Sequence, residues 1–576
     1  TNYPVSYAEQ DDIIQKYAKL ISNDETYKPR RIFPRDFIGP SSSTLQMINV
    51  VPYDDKSSVP NIRHNYTVTD KADGTRKLMY NAKDRKIYLI DMNMNVQFTG
   101  VKTESEQLEE TILDGEHILH NKAGQFINLY AAFDVYFVKN KDVRASAFSY
   151  IAPTSETESK RDEEKEKEKR NSVRLMILSR IVNNLSIKGV SGANDLIRIV
   201  KKKFYSTSAE TTIFQACHEV LKNEKDGLFE YNTDGLIFTP IEFGVGMTKQ
   251  GEKPKSKKVT WTRSFKWKPP EHNTIDFLVS VIKTDSGEDD IKNIFQKGKD
   301  MKVSSQLTQY KTLILRVGYD EKKHGYLNPC DMVINGGKST QETTDADESY
   351  RPVQFYPSNP ADKEAGICNI ILKHGAGNSK LMLSENNEVI EDNMIVEFRY
   401  DSSQNAKWRW IPIRVRYDKT AELRGGGRNF GNAYHVANSN WHSLHNPVTA
   451  LMLKSGQNIP DELDDVDIYY NKKSNANATQ ALRNFHNLYV KKKLITAVSN
   501  PGDTLIDMAV GKGGDISKWI AAKLKFVFGV DVSRDNIENR KDGACVRYLN
   551  AKHKFPTTTP AALFVQGNSI LNIRNG

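Results

Sequence analysis

The octapeptide Thr69-Asp70-Lys71-Ala72-Asp73-Gly74-Thr75-Arg76 places one lysine beside acids, a glycine and an arginine. Those residue types suit a nucleophile aimed at phosphorus. A lysine attacks only as the neutral amine, so its proton must be drawn off by burial or by cationic neighbours. In such a setting Asp73 can orient the amine, Gly74 lets backbone approach a ligand, and Arg76 offers a planar fork to phosphate or ribose oxygens. Alone, Lys71-x-Asp73-Gly74 also fits a charged surface turn.

Further groups follow in order along the chain. Asp114-Gly115-Glu116 closes a β-patterned run and offers carboxylates to a ribose hydroxyl, or a plain Asp-Gly turn. Phe133-Asp134 sets an aromatic beside an acid, able to stack on a purine while the acid meets metal or sugar, or else to lie in a buried strand. Thr233-Asp234-Gly235 is another acid-glycine turn entering a strand. In Ser264-Phe265-Lys266-Trp267-Lys268-Pro269 the two lysines share a strand face and can meet one phosphate. Arg414, Arg416 and Asp418 alternate with Ile413, Val415 and Tyr417, the pattern of a strand face running to Asp418. Far downstream, Thr504 to Met508 reads as a strand, Val510-Gly-Lys-Gly-Gly-Asp515 as a glycine turn opening a helix, and Lys525 to Val530 as a second strand ending at Asp531. Glycines that admit a ligand and an acid that takes ribose hydroxyls make a nucleoside site, and without a Gly-x-Gly-x-x-Gly run adenosylmethionine is expected over a dinucleotide.

Positioning these groups takes several domains. A chain of 576 residues exceeds one core and suggests three or four units. Its 82 Lys+Arg against 72 Asp+Glu, a net +10, suits a phosphate-rich partner. Cys217, Cys330, Cys368 and Cys545 are widely spaced, which argues against a disulfide framework or zinc site and for a reducing, intracellular setting. No apolar run is long enough for a membrane span. Asp11 to Ile21 reads as an amphipathic helix, Arg76 to Tyr80 and Arg85 to Met92 as a hairpin carrying on the lysine's sheet, and Ser155 to Arg170 as a charged excursion. Helical periodicity is expected from Ser172 to Lys203. The segments around Ile275 to Ile282, Leu313 to Val317 and Met394 to Tyr400 alternate as strands of a small β-barrel. Beyond Gly425, a linker with apolar anchors Trp441, Leu451 and Met452 is expected.

Taken in order, Lys71-x-Asp73-Gly74, Asp114-Gly115-Glu116, Phe133-Asp134, Asp234-Gly235, Lys266-Trp267-Lys268-Pro269 and Arg416-x-Asp418-Lys419 resemble the six motifs of the covalent nucleotidyltransferases, and among these the mRNA capping guanylyltransferases more than the polynucleotide ligases. The resemblance implies a multidomain α+β chain: an N-terminal extension over 1–59, a nucleotidyltransferase domain over 60–273 and an OB-fold β-barrel over 274–424. It implies that Lys71 takes GMP from GTP and passes it to diphosphate-ended RNA. It further implies that Glu116 holds ribose, Phe133 stacks on guanine, and Lys266 and Lys268 contact the α-phosphate. Asp234 would support Mg2+ (or Mn2+) or the lysine, and Arg416, Asp418 and Lys419 the leaving pyrophosphate.

After a linker over 425–475, the segment 476–576 resembles the start of cap guanine-N7 methyltransferases, through its Asn484-Phe485-x-Asn487 helix with a lysine and Asp507-x-x-x-Gly511-Lys-Gly-Gly-Asp515. Carried over, Lys491, Asp507 and Gly511 would bind S-adenosyl-L-methionine and Asp531 its ribose, in a partial Rossmann-like sheet expected to be inactive alone. Val510 and Asn568 depart from the family's Cys and Asp. The pairing of activities is similar to the large capping-enzyme subunits of poxviruses and other large cytoplasmic DNA viruses. That likeness implies host cytoplasm (viral factory) and virion as location, RNA with a 5′-diphosphate or triphosphate as substrate, and a small stimulatory subunit and the viral RNA polymerase as partners, with no membrane. An N-terminal triphosphatase is expected to be missing, since Glu104-x-Glu106 and Glu156-x-Glu158 fall inside the nucleotidyltransferase span. The competing readings are an ATP-dependent RNA or DNA ligase, which would carry AMP on the same lysine, and a non-catalytic RNA-binding scaffold.

Overall fold

The computed structural model describes residues 4–22, 26–52, 59–151, 160–190, 196–208, 210–295, 307–336, 350–358, 360–374, 380–461 and 480–570. Glu156 and Glu158 lie outside them. The chain divides into two compact units. One is Thr1–Asn273 with Asn446–Asp461, and the other is Thr274–His445 with Glu462–Gly576.

The first unit is built on two sheets. An eight-stranded sheet carries the hairpin read from sequence: Thr75–Asn81 pairs antiparallel with Lys86–Asp91 on one side and with Thr111–His120 on the other. Thr111–His120 in turn pairs with the long strand Phe126–Val138. A five-stranded sheet centres on Tyr66–Ala72, Thr233–Pro240 and Thr260–Trp267. Helix Tyr7–Ser22 buries Ile13, Ile14, Tyr17, Ala18, Leu20 and Ile21, one apolar stripe at helical spacing, and Ser6 caps its start by accepting from the Glu9 amide. Tyr17 cannot be buried without a partner for its hydroxyl, which donates to the Asp36 carbonyl at 2.9 Å. The charged excursion is helical over Lys160–Ser172.

Periodicity misled beyond this point. Helix Arg174–Asn183 stops early, and Arg198–Lys201 is a strand pairing in parallel with Leu129 to Ala132. Ile199 therefore serves a sheet. Three or four residues at strand spacing fit a helical window as well, and the partner strand decides between them.

In the second unit, a nine-stranded, barrel-like sheet runs through Thr274–Val281, Leu307–Asp320, Ile367–His374, Ile395–Tyr400 and Trp410–Val415. Its core gathers Phe277, Phe355, Phe398, Trp410 and Trp441. Trp441, on helix Tyr434–His445, is an anchor as expected: it is fully buried and its indole donates to the Pro360 carbonyl. Back in the first unit, Leu451 is exposed, and the buried side chain of helix Ala450–Ser455 is Leu453. The C-terminal segment forms three parallel strands, Thr504–Asp507, Phe526–Asp531 and Ala561–Gln566, with helices Ile516–Ala521 and Ala544–Lys554 between them. Among the described residues no helix is long and apolar enough to cross a membrane.

Candidate active site

Residues alternate faces along Tyr66–Ala72, so Asp70 and Lys71 point opposite ways. Asp70 turns inward, where Lys202 lies 3.0 Å from its Oδ2 and the Tyr231 hydroxyl donates to the same oxygen at 3.1 Å. Lys202 also donates to the Asp70 carbonyl. Lys71 turns outward, and its Nζ donates to Asp234 Oδ1 at 2.6 Å. The other oxygen of Asp234 is 2.7 Å from Lys268 Nζ.

Asp234 reaches Lys71 because the ladder is broken there. Thr233 pairs with Ala72 and Leu236 with Asp70, so Asp234 and Gly235 together stand opposite the single residue Lys71, one residue more than a regular ladder holds. Only glycine suits the second of them. Gly235 has φ +142°, and a Cβ on it would fall 2.0 Å from the Trp267 carbonyl oxygen. Trp267 is itself held, since its indole donates to the Val448 carbonyl at 2.6 Å. The Asp-Gly pair is thus a device that swings a carboxylate across to a neighbouring strand.

Two ammonium groups share this one carboxylate, and a third, Lys266, lies close enough to feel their charge. Desolvation raises the Asp234 pKa, but hydrogen bonds from Lys268 and Lys71 outweigh it and hold the group below the usual carboxylate range. Lys266 is pushed down by desolvation and then by the charges of Lys71 and Lys268. Glu116 is pushed up to about 7 by desolvation, against the pull of Lys202, Arg76 and Lys71. Glu116 therefore stands near Lys71 as a carboxyl poised between its two protonation states.

Other sequence-predicted groups are committed differently. Arg76 donates through Nε and Nη2 to Asp114 and through Nη1 to the Pro40 carbonyl at 2.6 Å, and the Tyr136 hydroxyl also bonds Asp114. Its guanidinium lies 5.5 Å from the Phe133 ring centroid, so it backs that ring while its fork grips the core. Asp134 is buried against Arg174 at 2.8 Å, away from any open surface. Gly74 packs on Glu116 and His117, where a Cβ would come within 2.9 Å of the His117 carbonyl oxygen. Asp73 is exposed, and its amide bonds the Asn232 carbonyl.

In the second unit, the strand alternation read to Asp418 ends at Val415, and Tyr417–Arg424 is a helix. Arg416 stands at the junction, its amide bonded to the Ile395 carbonyl and its own carbonyl accepting from Thr420. Arg416 Nη1 and Lys419 Nζ both bond Asp276 Oδ2, at 2.9 and 2.5 Å, while Asp418 is exposed. The sequence reading passed over Asp276. Its signal was an acid set in the apolar run Ile275 to Val279, where a buried charge demands cations.

In the C-terminal segment, Asp507 and Asp531 end adjacent parallel strands. The Gly511 amide donates to Asp531 Oδ2 at 2.8 Å, and Ser533 and Asn536 hold Oδ1. Gly511 has φ +54° with open space where a Cβ would be. Lys491 reaches Asp515 at 3.1 Å. Desolvation raises the Asp507 carboxyl, with Asp515 and Asp531 adding to it. The carboxyl ends of such strands are where this kind of sheet accepts ligands.

Residues 55–171 match the model of the mRNA capping enzyme catalytic domain, and residues 461–572 match that of the mRNA (guanine-N(7))-methyltransferase domain. Across 97% of its length the chain is 26% identical to a probable mRNA-capping enzyme of Acanthamoeba polyphaga mimivirus, covering 45% of that protein. Across 81% it is 25% identical to an mRNA-capping enzyme of African swine fever virus, covering 43% of it. A stretch spanning 12% of the chain is 37% identical to an mRNA cap guanine-N(7) methyltransferase of rice, covering 20% of that protein. The chain spans less than half the length of the viral relatives. The two domain descriptions imply GTP and S-adenosylmethionine as small molecules and RNA as the substrate of capping. The likeness read from the motifs is borne out: one polypeptide carries a segment matching the catalytic domain of mRNA capping enzymes, followed by one matching the mRNA (guanine-N(7))-methyltransferase domain, and aligns along most of its length with viral mRNA-capping enzymes.

Proposed function

We propose that the chain transfers GMP from GTP to the 5′ end of RNA through a lysyl-GMP intermediate on Lys71. The observation that carries this reading is the Lys71–Asp234–Lys268 cluster, with Lys266 beside it. The strand and its bond to Asp234 hold the Lys71 nitrogen still, and the neutral amine is the form that attacks. The Lys71 nitrogen bonds the α-phosphorus and pyrophosphate leaves. A terminal phosphate oxygen of RNA then attacks the same phosphorus, the N–P bond breaks, and the cap linkage forms. Lys266 and Lys268 neutralise the charge that gathers on the α-phosphate, since phosphoryl transfer is mostly positioning and electrostatics. Glu116 takes the ribose and Phe133, backed by Arg76, the guanine. Arg416 and Lys419, oriented by Asp276 in an OB-fold barrel, meet the departing pyrophosphate.

Among the described residues no three His, Cys, Asp or Glu converge as a metal cage. Asp234 offers a single hard oxygen donor, which suits Mg2+ held by one carboxylate, water and substrate phosphates. When bound, the metal would neutralise the triphosphate. In the C-terminal segment, read as part of a Rossmann-like domain, Lys491, Asp507, Gly511 and Asp531 would hold S-adenosylmethionine, whose sulfonium supplies an activated methyl group. Retention of labelled S-adenosylmethionine, lost in Asp531→Ala, tests that site by binding alone. A large cytoplasmic DNA virus fits the relatives, with factory and virion as sites of action and a small subunit and RNA polymerase as candidates for co-purification.

Incubation with α-labelled GTP or ATP, followed by denaturing electrophoresis, tests the nucleotidyl reading. Label from GTP that vanishes in Lys71→Ala is the expected result. Label from ATP alone would make the chain a ligase, and none from either a scaffold.

A further inference from the structure

Of the four cysteines, two meet. Cys330 lies on helix Pro329–Ile334, in the excursion between strands Leu307–Asp320 and Tyr350–Gln354 of the barrel-like sheet. Cys545 lies near the start of helix Ala544–Lys554 in the methyltransferase-like segment. Their sulfurs are 3.0 Å apart although 215 residues separate them in sequence. The contact is held from several sides. Val333 joins the core of Trp519, Tyr548 and Phe564, the Tyr326 hydroxyl donates to Asn550 at 2.7 Å, and the Tyr326 amide donates to the Arg540 carbonyl at 2.8 Å. Neither thiol can drift from the other without opening that core.

The two thiols differ in access. Cys545 is 1% exposed, whereas Cys330 is partly exposed and lines a cavity of about 790 Å³. That cavity mixes Lys363, Arg540 and Lys541 with Asp331, Asp362 and Asp535. Arg540 lies over the Tyr434 ring at 4.3 Å, donates through Nη2 to the Tyr356 carbonyl and keeps Nη1 buried. Such a lining suits a small ligand with both carboxylates and ammonium groups, and its size is that of a binding pocket.

We propose that Cys330 and Cys545 form a dithiol modification site, open through this cavity to glutathione disulfide, whose product is a disulfide joining the barrel-like sheet's excursion to the methyltransferase-like segment. The Cys330 thiolate attacks one glutathione sulfur, forming a mixed disulfide and releasing one glutathione. The Cys545 thiolate then attacks Cys330 Sγ, forming the Cys330–Cys545 bond and releasing the second glutathione. Two protein thiols are oxidised and one glutathione disulfide is reduced to two thiols, so electrons and protons balance. The second step is the slower one. In the free dithiol, contact with the Cys330 sulfur and then burial raise the Cys545 thiol, and once Cys330 carries glutathione the burial remains and keeps the Cys545 thiolate scarce.

The test treats the full chain with glutathione disulfide, quenches with iodoacetamide over time, and maps peptides without reduction. The expected result is a mixed disulfide at Cys330 that gives way to a linked Cys330–Cys545 peptide pair, in a chain that runs as a monomer and reverts with dithiothreitol. Cys545→Ser is expected to stop at glutathione on Cys330. Cys217 and Cys368, both buried, serve as internal controls that stay unmodified. A wild-type chain that keeps both thiols free, carries glutathione without the linked pair, or links only between chains overturns the proposal. Because the linked pair is read in wild type, the outcome does not depend on the variant folding, nor on the nucleotidyl reading of Lys71.

Discussion

At Glu116 a single carboxyl sets a pH dependence whose sign can be worked out. Its folded pKa is about 7 against an ordinary 4.5, so between those values the folded state holds a proton that the unfolded state has released. Stability contributed by the bound proton is therefore full below pH 4.5 and lost as pH rises through 7. A shift of that size corresponds to on the order of 3 kcal/mol across the window. Glu116→Gln keeps the shape without the titration. Urea denaturation of both proteins from pH 5 to 8 should show the variant gaining relative to wild type as pH rises, and a constant difference would remove Glu116 as the source. Gly235 gives a second residue-scale prediction. Gly235→Ala places a methyl into the Trp267 carbonyl at φ +142°, so it should destabilise the first unit by about 2 kcal/mol or more and abolish GTP labelling, as read by chemical denaturation and by gel. Labelling that survives would mean the bulge can relax without moving Asp234.

Elements were legible where local pattern and tertiary demand agree. The helix at Tyr7–Ser22, the hairpin after Lys71 and the alternation of Lys266 with buried Phe265 and Trp267 follow from spacing alone. The failures have a common cause. Arg414, Arg416 and Asp418 fit strand alternation, yet Val415 ends the strand, and the Arg416 carbonyl receives the Thr420 amide to begin a helix. That turn brings Arg416 and Lys419 to one carboxylate, which no period within the motif encodes. Arg76 was legible as a fork but not as one already gripping Asp114, because its partner lies 38 residues away on a strand whose register the sequence does not state. Asp276 is the element-scale counterpart. A buried acid shared by two cations orients the start of the helix, and removing it takes the carboxylate from Lys419 and leaves Arg416 with the longer contacts to Asp418 at 3.5 Å and Glu397 at 4.0 Å. Asp276→Asn should cost about 1–2 kcal/mol, discounted for the quarter exposure of each cation, and slow GTP labelling while leaving Lys71 in place. Calorimetry and the rate of pyrophosphate release would check it. Unchanged rate with lowered stability would confine Asp276 to folding.

Across the whole molecule, the first unit needs residues 446–461 to return to it, since Val448 receives the Trp267 indole and helix Ala450–Ser455 packs beside helix Ile213–Lys225. No composition shift marks that return. The second unit likewise borrows across sequence. The excursion from the barrel-like sheet sends Tyr326, Cys330, Met332 and Val333 into or against the core of the methyltransferase-like segment. A sequence reading that treats successive segments as independent domains misses this, because the helix Pro329–Ile334 is too short for a periodic signal. The consequence is that the methyltransferase-like core is completed from another part of the chain. Val333 is 8% exposed, and Val333→Asp would bury a charge without a partner there. Hydrogen exchange of the full chain should then show helix Ala544–Lys554 opening faster, by about 100-fold for a loss of roughly 3 kcal/mol, while strand Ile395–Tyr400 of the barrel-like sheet keeps its protection. Equal loss in both places would mean that sheet and segment unfold as one cooperative body, and no loss in the helix would mean that the excursion only rests on a core already closed.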